Sequence, residues 1–386
     1  MPCQRAFPDD LLQEPRERRE AYFRSYTMAH PRLQQIFNAT MQAIRDSEGG
    51  RLIFLYGPPG VGKSTLLPRL NKVLTEYVLS EAVQDPGRIP CAITDAAAPE
   101  PGNFSWRQFY IQSLRALAEP LIDYKINLDP AVQTGMSRSL LRSSAPELRS
   151  ALVSALIHRR PHAFVIDEAQ HLTKVVSGRK LLDQLDCIKS IASEGKVPFL
   201  LVGPYDLLAF RDLSGQLSRR STDIHFARYR ADDRHDLEDF QDIISNFERY
   251  LPVPEQDGLI DGWDYLYERS LGCVGVLKDW LLKALRIALA EDARTLTISH
   301  LKKCELSLSK CDVMLQEILE GEQRLVEPEG KKANLRLRLG LAPAESSAVD
   351  GKPAAPKSPA RRGEVGKRKA KRDSVGPGTE ANSAGV

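Results

Sequence analysis

Short, nearly continuous apolar runs separated by longer amphipathic stretches dominate residues 1–230. Four such runs lie at 52–56, 90–94, 163–166 and 197–202, and a weaker fifth lies at 223–226. Runs this short, apolar at odd and even positions alike, suit strands covered on both faces. The stretches between them carry helical spacing. Leu33, Ile36, Phe37, Met41 and Ile44 share one face, as do Leu181, Leu185, Ile188 and Ile191, and further helices are expected from Ser64, at 104–119 and at 144–159. Strands alternating with helices predict an α/β fold, a parallel sheet sandwiched between helical layers. Beyond Arg230 the strand signal stops, and 233–250, 258–270, 274–291 and 298–323 all read as helices. In the last, Leu301, Cys304, Leu308, Cys311, Leu315 and Ile318 form a narrow seam. The seam is expected to pack on the other helices, with self-association as the alternative.

Composition changes this picture mainly at the C-terminal end. Of 386 residues, 42% are apolar and 27% charged, as in ordinary globular chains. No apolar run reaches the ~18–20 residues of a membrane span. The start, Met1-Pro2-Cys3-Gln4-Arg5, lacks the apolar core of a secretory signal, so a cytoplasmic protein with no membrane association is expected. Six dispersed cysteines without zinc spacing suit reduced thiols. The net charge of +3 hides a division: residues 331–386 hold 13 Lys and Arg against 5 Asp and Glu, and residues 1–330 hold 41 against 46. The basic end is poor in large apolar residues after Leu341 and is expected to be disordered, either a solubilising tail or a polyanion-binding arm. Four regions follow: an N-terminal helical segment (1–50), an α/β domain (51–230), a helical region with its terminal helix (231–325) and a basic tail (326–386).

The chemistry concentrates in three places. Gly57-Pro58-Pro59-Gly60-Val61-Gly62-Lys63-Ser64 follows a strand and opens a helix, with Thr65 next. This is a phosphate-binding loop: glycines let backbone N–H groups face a phosphate chain, Lys63 reaches its terminal phosphates, and the Ser64 hydroxyl ligates Mg²⁺. Asp167 and Glu168 close the 163–166 strand, at the edge where such sheets bind ligands. Asp167 would hold Mg²⁺, and Glu168 would orient the attacking water in ATP hydrolysis. Arg219 and Arg220 precede the fifth strand, where either could reach a neighbouring subunit's nucleotide and stabilise charge on the transferred phosphoryl group.

Taken together these motifs resemble an AAA+ ATPase with a helical lid. More narrowly, the chain is similar to transposition regulators of the TnsC/TniB type, relatives of MuB. The strings that carry this likeness are Phe104-Ser105-Trp106-Arg107-Gln108-Phe109-Tyr110, Val165-Ile166-Asp167-Glu168-Ala169-Gln170-His171-Leu172, Tyr205-Asp206-Leu207-Leu208, Gln216-Leu217-Ser218-Arg219-Arg220-Ser221 and Gly272-Cys273-Val274-Gly275-Val276-Leu277-Lys278. The resemblance implies an ATP-dependent oligomer, ring or helical filament, on double-stranded DNA. Such an oligomer links target-selector proteins to a transposase, with hydrolysis controlling assembly. Two departures stand out. Gly203-Pro204 replaces the polar end of the fourth strand, leaving Tyr205 or Asp206 as the substitute sensor, and Lys278 is the lid's candidate cation. Competing functions are a replication-initiator-like or helicase-loading ATPase, a signalling switch ATPase and a non-hydrolysing scaffold.

Overall fold

The computed structural model describes residues 5–47, 50–82, 85–98, 104–122, 144–174, 178–211, 221–256, 258–326 and 329–341. Five strands, β1 (Leu52–Tyr56), β2 (Cys91–Asp95), β3 (Ala163–Asp167), β4 (Phe199–Gly203) and β5 (Ser221–His225), form one sheet in the order β2-β3-β4-β1-β5. Every pairing is parallel, as the apolar runs predict.

Strand periodicity explains the layers. Along β1, Leu52, Phe54 and Tyr56 join one core while Ile53 and Leu55 join the other, because successive side chains point to opposite faces. The first face is covered by α4 (Trp106–Ala116), α5 (Ala145–Arg159) and α6 (Gly178–Gly195); the second by α2 (Pro31–Arg45) and α3 (Lys63–Ala82). Phe164 and Phe199 stack across β3 and β4 with ring centroids 4.7 Å apart. Burying each such ring contributes about 1.5–3 kcal/mol. β5 lies at the edge and is correspondingly more polar.

Helix starts follow local capping. The Asp233 carboxylate accepts from the N–H groups of His235 and Asp236 at the head of α8 (Arg234–Tyr250). Ser144 and Glu147 form a capping box on α5. A short α7 (Leu208–Arg211) follows β4. Then α8, α9 (Trp263–Ser270), α10 (Val274–Ala290) and α11 (Ile298–Lys302) enclose a separate core that includes Phe240, Phe247, Leu277 and Trp280. Phe23 of α1 (Arg16–Ser25) enters this helical core, whereas α2 packs on the sheet, so the two N-terminal helices serve different layers.

Two expectations are corrected. The helix expected over 298–323 is two helices, α11 and α12 (Leu308–Leu325), parted at 303–307. The seam divides with it: Leu301 sits in the lid core, Cys311 and Ile318 form a small cluster with Leu271 and Cys273, and Leu308 is exposed. The break turns the seam residues to different partners, which ends the case for a continuous self-association stripe. The basic end is also not wholly structureless, since Glu329–Arg338 forms α13, a unit separate from residues 1–326. Its Lys and Arg stems and leucines support a helix locally. Residues 342–386 lie outside the described set. Cys91, Cys187, Cys273, Cys304 and Cys311 are free thiols, and no described helix is long and apolar enough to cross a membrane.

Candidate functional site

The phosphate loop hangs from the end of β1 and is shaped by close backbone approaches. A Cβ at Gly57 would overlap the carbonyl oxygen of Phe226, which itself donates its N–H to Tyr56 O at 2.8 Å. At the loop's tip, Gly60 O accepts from Gly275 N at 2.7 Å, and a Cβ at Gly275 would lie 2.5 Å from that same oxygen. Only glycine permits this approach. The first turn of α10 is therefore hydrogen-bonded to the loop.

Lys63 opens α3. Its ammonium donates to the carbonyls of Gly57 (2.7 Å) and Pro58 (2.8 Å). Burial pushes its pKa down to about 8, against the pull of Cys273, Asp167 and Glu168. A desolvated ammonium hydrogen-bonded to two neutral carbonyls is suited to an anion that would compensate it. Ser64 and Thr65 follow, both exposed.

Across the sheet edge, Asp167 is half-buried and its carboxyl is raised above the ordinary range. Burial is the main cause; Glu168 and Asp95 add to it, and the Glu168 N–H and Lys63 oppose it. Asp95 pairs in register with Asp167 from β2, a third carboxylate that sequence spacing did not reveal. The excess negative charge would suit a divalent cation, which the Asp167 carboxylate and the Ser64 hydroxyl would hold. Among the described residues no group of three His, Cys, Asp or Glu side chains is placed to hold a metal ion.

Glu168 adopts a left-handed backbone (φ 51°), uncommon for a non-glycine residue and frequent at functional turns. Its carboxylate accepts from the Gln170 side-chain amide. Gln170 is buried, and its Oε1 has no hydrogen-bond partner among the described residues. That oxygen lies where a Cβ on Gly203 would stand, 2.7 Å away, so the bare end of β4 makes room for Gln170. Gln170, like Asp95, thus stands at the site without a role in the sequence reading, although it lies within one of the quoted strings.

Tyr205 and Asp206 share a short turn after β4. The Tyr205 hydroxyl is 2.9 Å from His225 Nε2, and its ring packs under Gly321 of α12. Asp206 is exposed. Lys278 donates to the carbonyl of Arg24 on α1 at 3.0 Å, and burial lowers its pKa. It lines a narrow cleft with Met28, His30, Val61, Gly62 and Thr65, next to the phosphate loop. The structure thus brings Lys63, Asp167 and Glu168 to one end of the sheet and sets Lys278 beside the same loop. Arg219 and Arg220 lie outside the described residues.

The parallel sheet, the loop at the end of β1 and the helical C-terminal part make an AAA+ P-loop fold. Residues 45–210 match a family model described as an AAA domain. No curated protein matches the sequence. Among solved structures, similar chains include the ORC2 protein of Aeropyrum pernix in its ADPNP–ADP complexes (16% identity, 74% of this chain and 72% of that one, TM-score 0.47). A Walker-type ATPase of Pyrococcus abyssi is similar at 17% identity, 79% and 75% coverage and TM-score 0.42. Drosophila ORC bound to DNA is similar at 14%, with 88% and 87% coverage and TM-score 0.44.

Proposed function

We propose that the chain is an ATP-hydrolysing switch that assembles on double-stranded DNA and regulates transposition, linking target-selector proteins to a transposase. The observation behind the ATPase reading is the convergence of Lys63, Asp167 and Glu168 at the end of the sheet, beneath a lid bonded to the loop. Support for the DNA reading is the basic stretch after Lys331; support for transposition is the set of sequence strings quoted above.

Lys63 would exchange its two loop carbonyls for phosphate oxygens of ATP. Ser64 and Asp167 would hold Mg²⁺, which supplies charge neutralisation at the phosphates. Glu168 would orient the water for in-line attack, its carboxylate steadied by the Gln170 amide. Arg219 or Arg220 of a neighbouring subunit would complete the site.

The test is assembly-dependent turnover. ATP hydrolysis per subunit should rise with protein concentration and with added duplex DNA. A Lys63→Ala protein mixed with an Arg219→Ala/Arg220→Ala protein should regain part of the activity each lacks alone. A rate per subunit independent of concentration and DNA would refute the shared site.

A further inference from the structure

The opposite edge of the sheet, where the strands begin, holds a groove of about 740 Å³. The C-terminal ends of α2, α5 and α6 frame it, together with the middle of α3. Its floor is apolar and well packed: Met41, Ile44, Leu74 and Val197 are each no more than 6% exposed. At its rim, Tyr77 and Ile157 are 59% and 50% exposed, so the apolar surface runs out of the groove onto the protein's face. The Tyr77 ring stands edge-on to His162 at 5.5 Å.

Charge around this floor is one-sided. Arg45, Arg88, Arg160 and Lys196 line the groove against a single carboxylate, Glu194. Glu194 is already engaged by Arg149 and Ser190. Arg160 pairs with Asp85, and Arg88 lies 3.0 Å from His162 Nε2. Arg45 and Lys196 are exposed, and neither has an ion pair among the described residues.

We propose that this groove is a docking site for an acidic peptide segment of a partner protein. One large apolar side chain enters between Tyr77 and Ile157, and flanking carboxylates meet Arg45 and Lys196. The combination excludes simpler occupants. A small anion would answer the cations and leave Tyr77 and Ile157 uncovered. A duplex would engage the cations but make no use of an apolar floor. A peptide uses both, with the buried side chain as anchor and the charges setting orientation and association rate. The site lies at the far end of the sheet from Lys63 and stands independently of the ATPase reading.

The probe is a fluorescein-labelled heptapeptide, a central tryptophan with three acidic residues on each side, titrated against the full chain by anisotropy. A second version carries benzoylphenylalanine at the centre for photo-crosslinking. We expect saturable binding weakened roughly tenfold by Arg45→Glu/Lys196→Glu and several-fold by Tyr77→Ser or by a central glycine. Both charge sites are exposed, so folding should be unaffected, which circular dichroism checks. Crosslinks should map to the Tyr77 and Ile157 segments. Equal affinity for the charge-reversed chain, crosslinks confined to 331–386, or displacement of the crosslink by duplex DNA would each overturn the proposal.

Discussion

At the C-terminal edge of the sheet, Lys63, Asp167 and Glu168 are each held by atoms close to them in sequence. Lys63 is held by the carbonyls of its own loop, Asp167 by the next N–H, and Glu168 by the amide two residues on. At the opposite edge Arg45, Arg88, Arg160 and Lys196 come from four separate stretches of chain. The first site is built by local backbone geometry and survives as a motif. The second exists only once the sheet has assembled, because β2, β3, β4 and the end of α2 must be brought side by side. One region is fixed by short local contacts; in the other Arg160 and Arg88 are tied to Asp85 and His162, while Arg45 and Lys196 stand exposed beside an apolar floor.

Breaking the loop end should cost the most. Gly57→Ala places a methyl against the Phe226 carbonyl, which belongs to the backbone and cannot swing away. We expect a loss of about 3 kcal/mol in unfolding free energy, read by denaturant titration. Stability within about 0.5 kcal/mol of the parent would show that the loop end tolerates relaxation as the groove does.

A smaller effect is expected from pH. His30 caps α2, lies 2.9 Å from Tyr229 Oη and borders the cleft beside Lys278. Burial, aided by Arg32, pushes its pKa down from 6.5 to about 4. The unfolded chain therefore takes up a proton that folded His30 refuses. Stability present above pH 6.5 should be lost as pH falls towards 4, about 2 kcal/mol of it by roughly pH 5. His30→Asn, which keeps a cap acceptor, should flatten that limb of the stability curve; an unchanged slope would remove His30 from the account.

The smallest effect concerns Gln170. Gln170→Leu fills the same space by the end of β4 without donating to Glu168. Turnover should fall about threefold to tenfold while the KM for ATP stays unchanged, because the amide positions Glu168 and does not touch the nucleotide. A change confined to KM would place Gln170 in binding instead.

These differences explain what could be read from sequence. The five strands were legible because residues such as Leu52–Tyr56 are apolar at every position, which only a doubly covered strand requires. Lys63, Asp167 and Glu168 were legible because their geometry is set by neighbours in the chain. The break between α11 and α12 was not, since Leu301, Cys304 and Leu308 keep helical spacing across it, and only the partners they meet in space distinguish one helix from two. Gln170 was quoted without its role because its significance depends on the empty space at Gly203, on another strand. The groove left no sequence signal at all: its four cations are spread from 45 to 196.

The central claim, that Lys63 binds the nucleotide and Glu168 activates water for its hydrolysis, is tested most directly by pairing two variants in one experiment. Binding of a fluorescent ATP analogue and steady-state ATP turnover would be measured for Lys63→Ala and Glu168→Gln beside the parent chain. The account predicts that Lys63→Ala loses binding and turnover together. Glu168→Gln should keep binding within about twofold, while its turnover falls about 100-fold or more. Parent-like turnover in Glu168→Gln, or undiminished binding in Lys63→Ala, would contradict it.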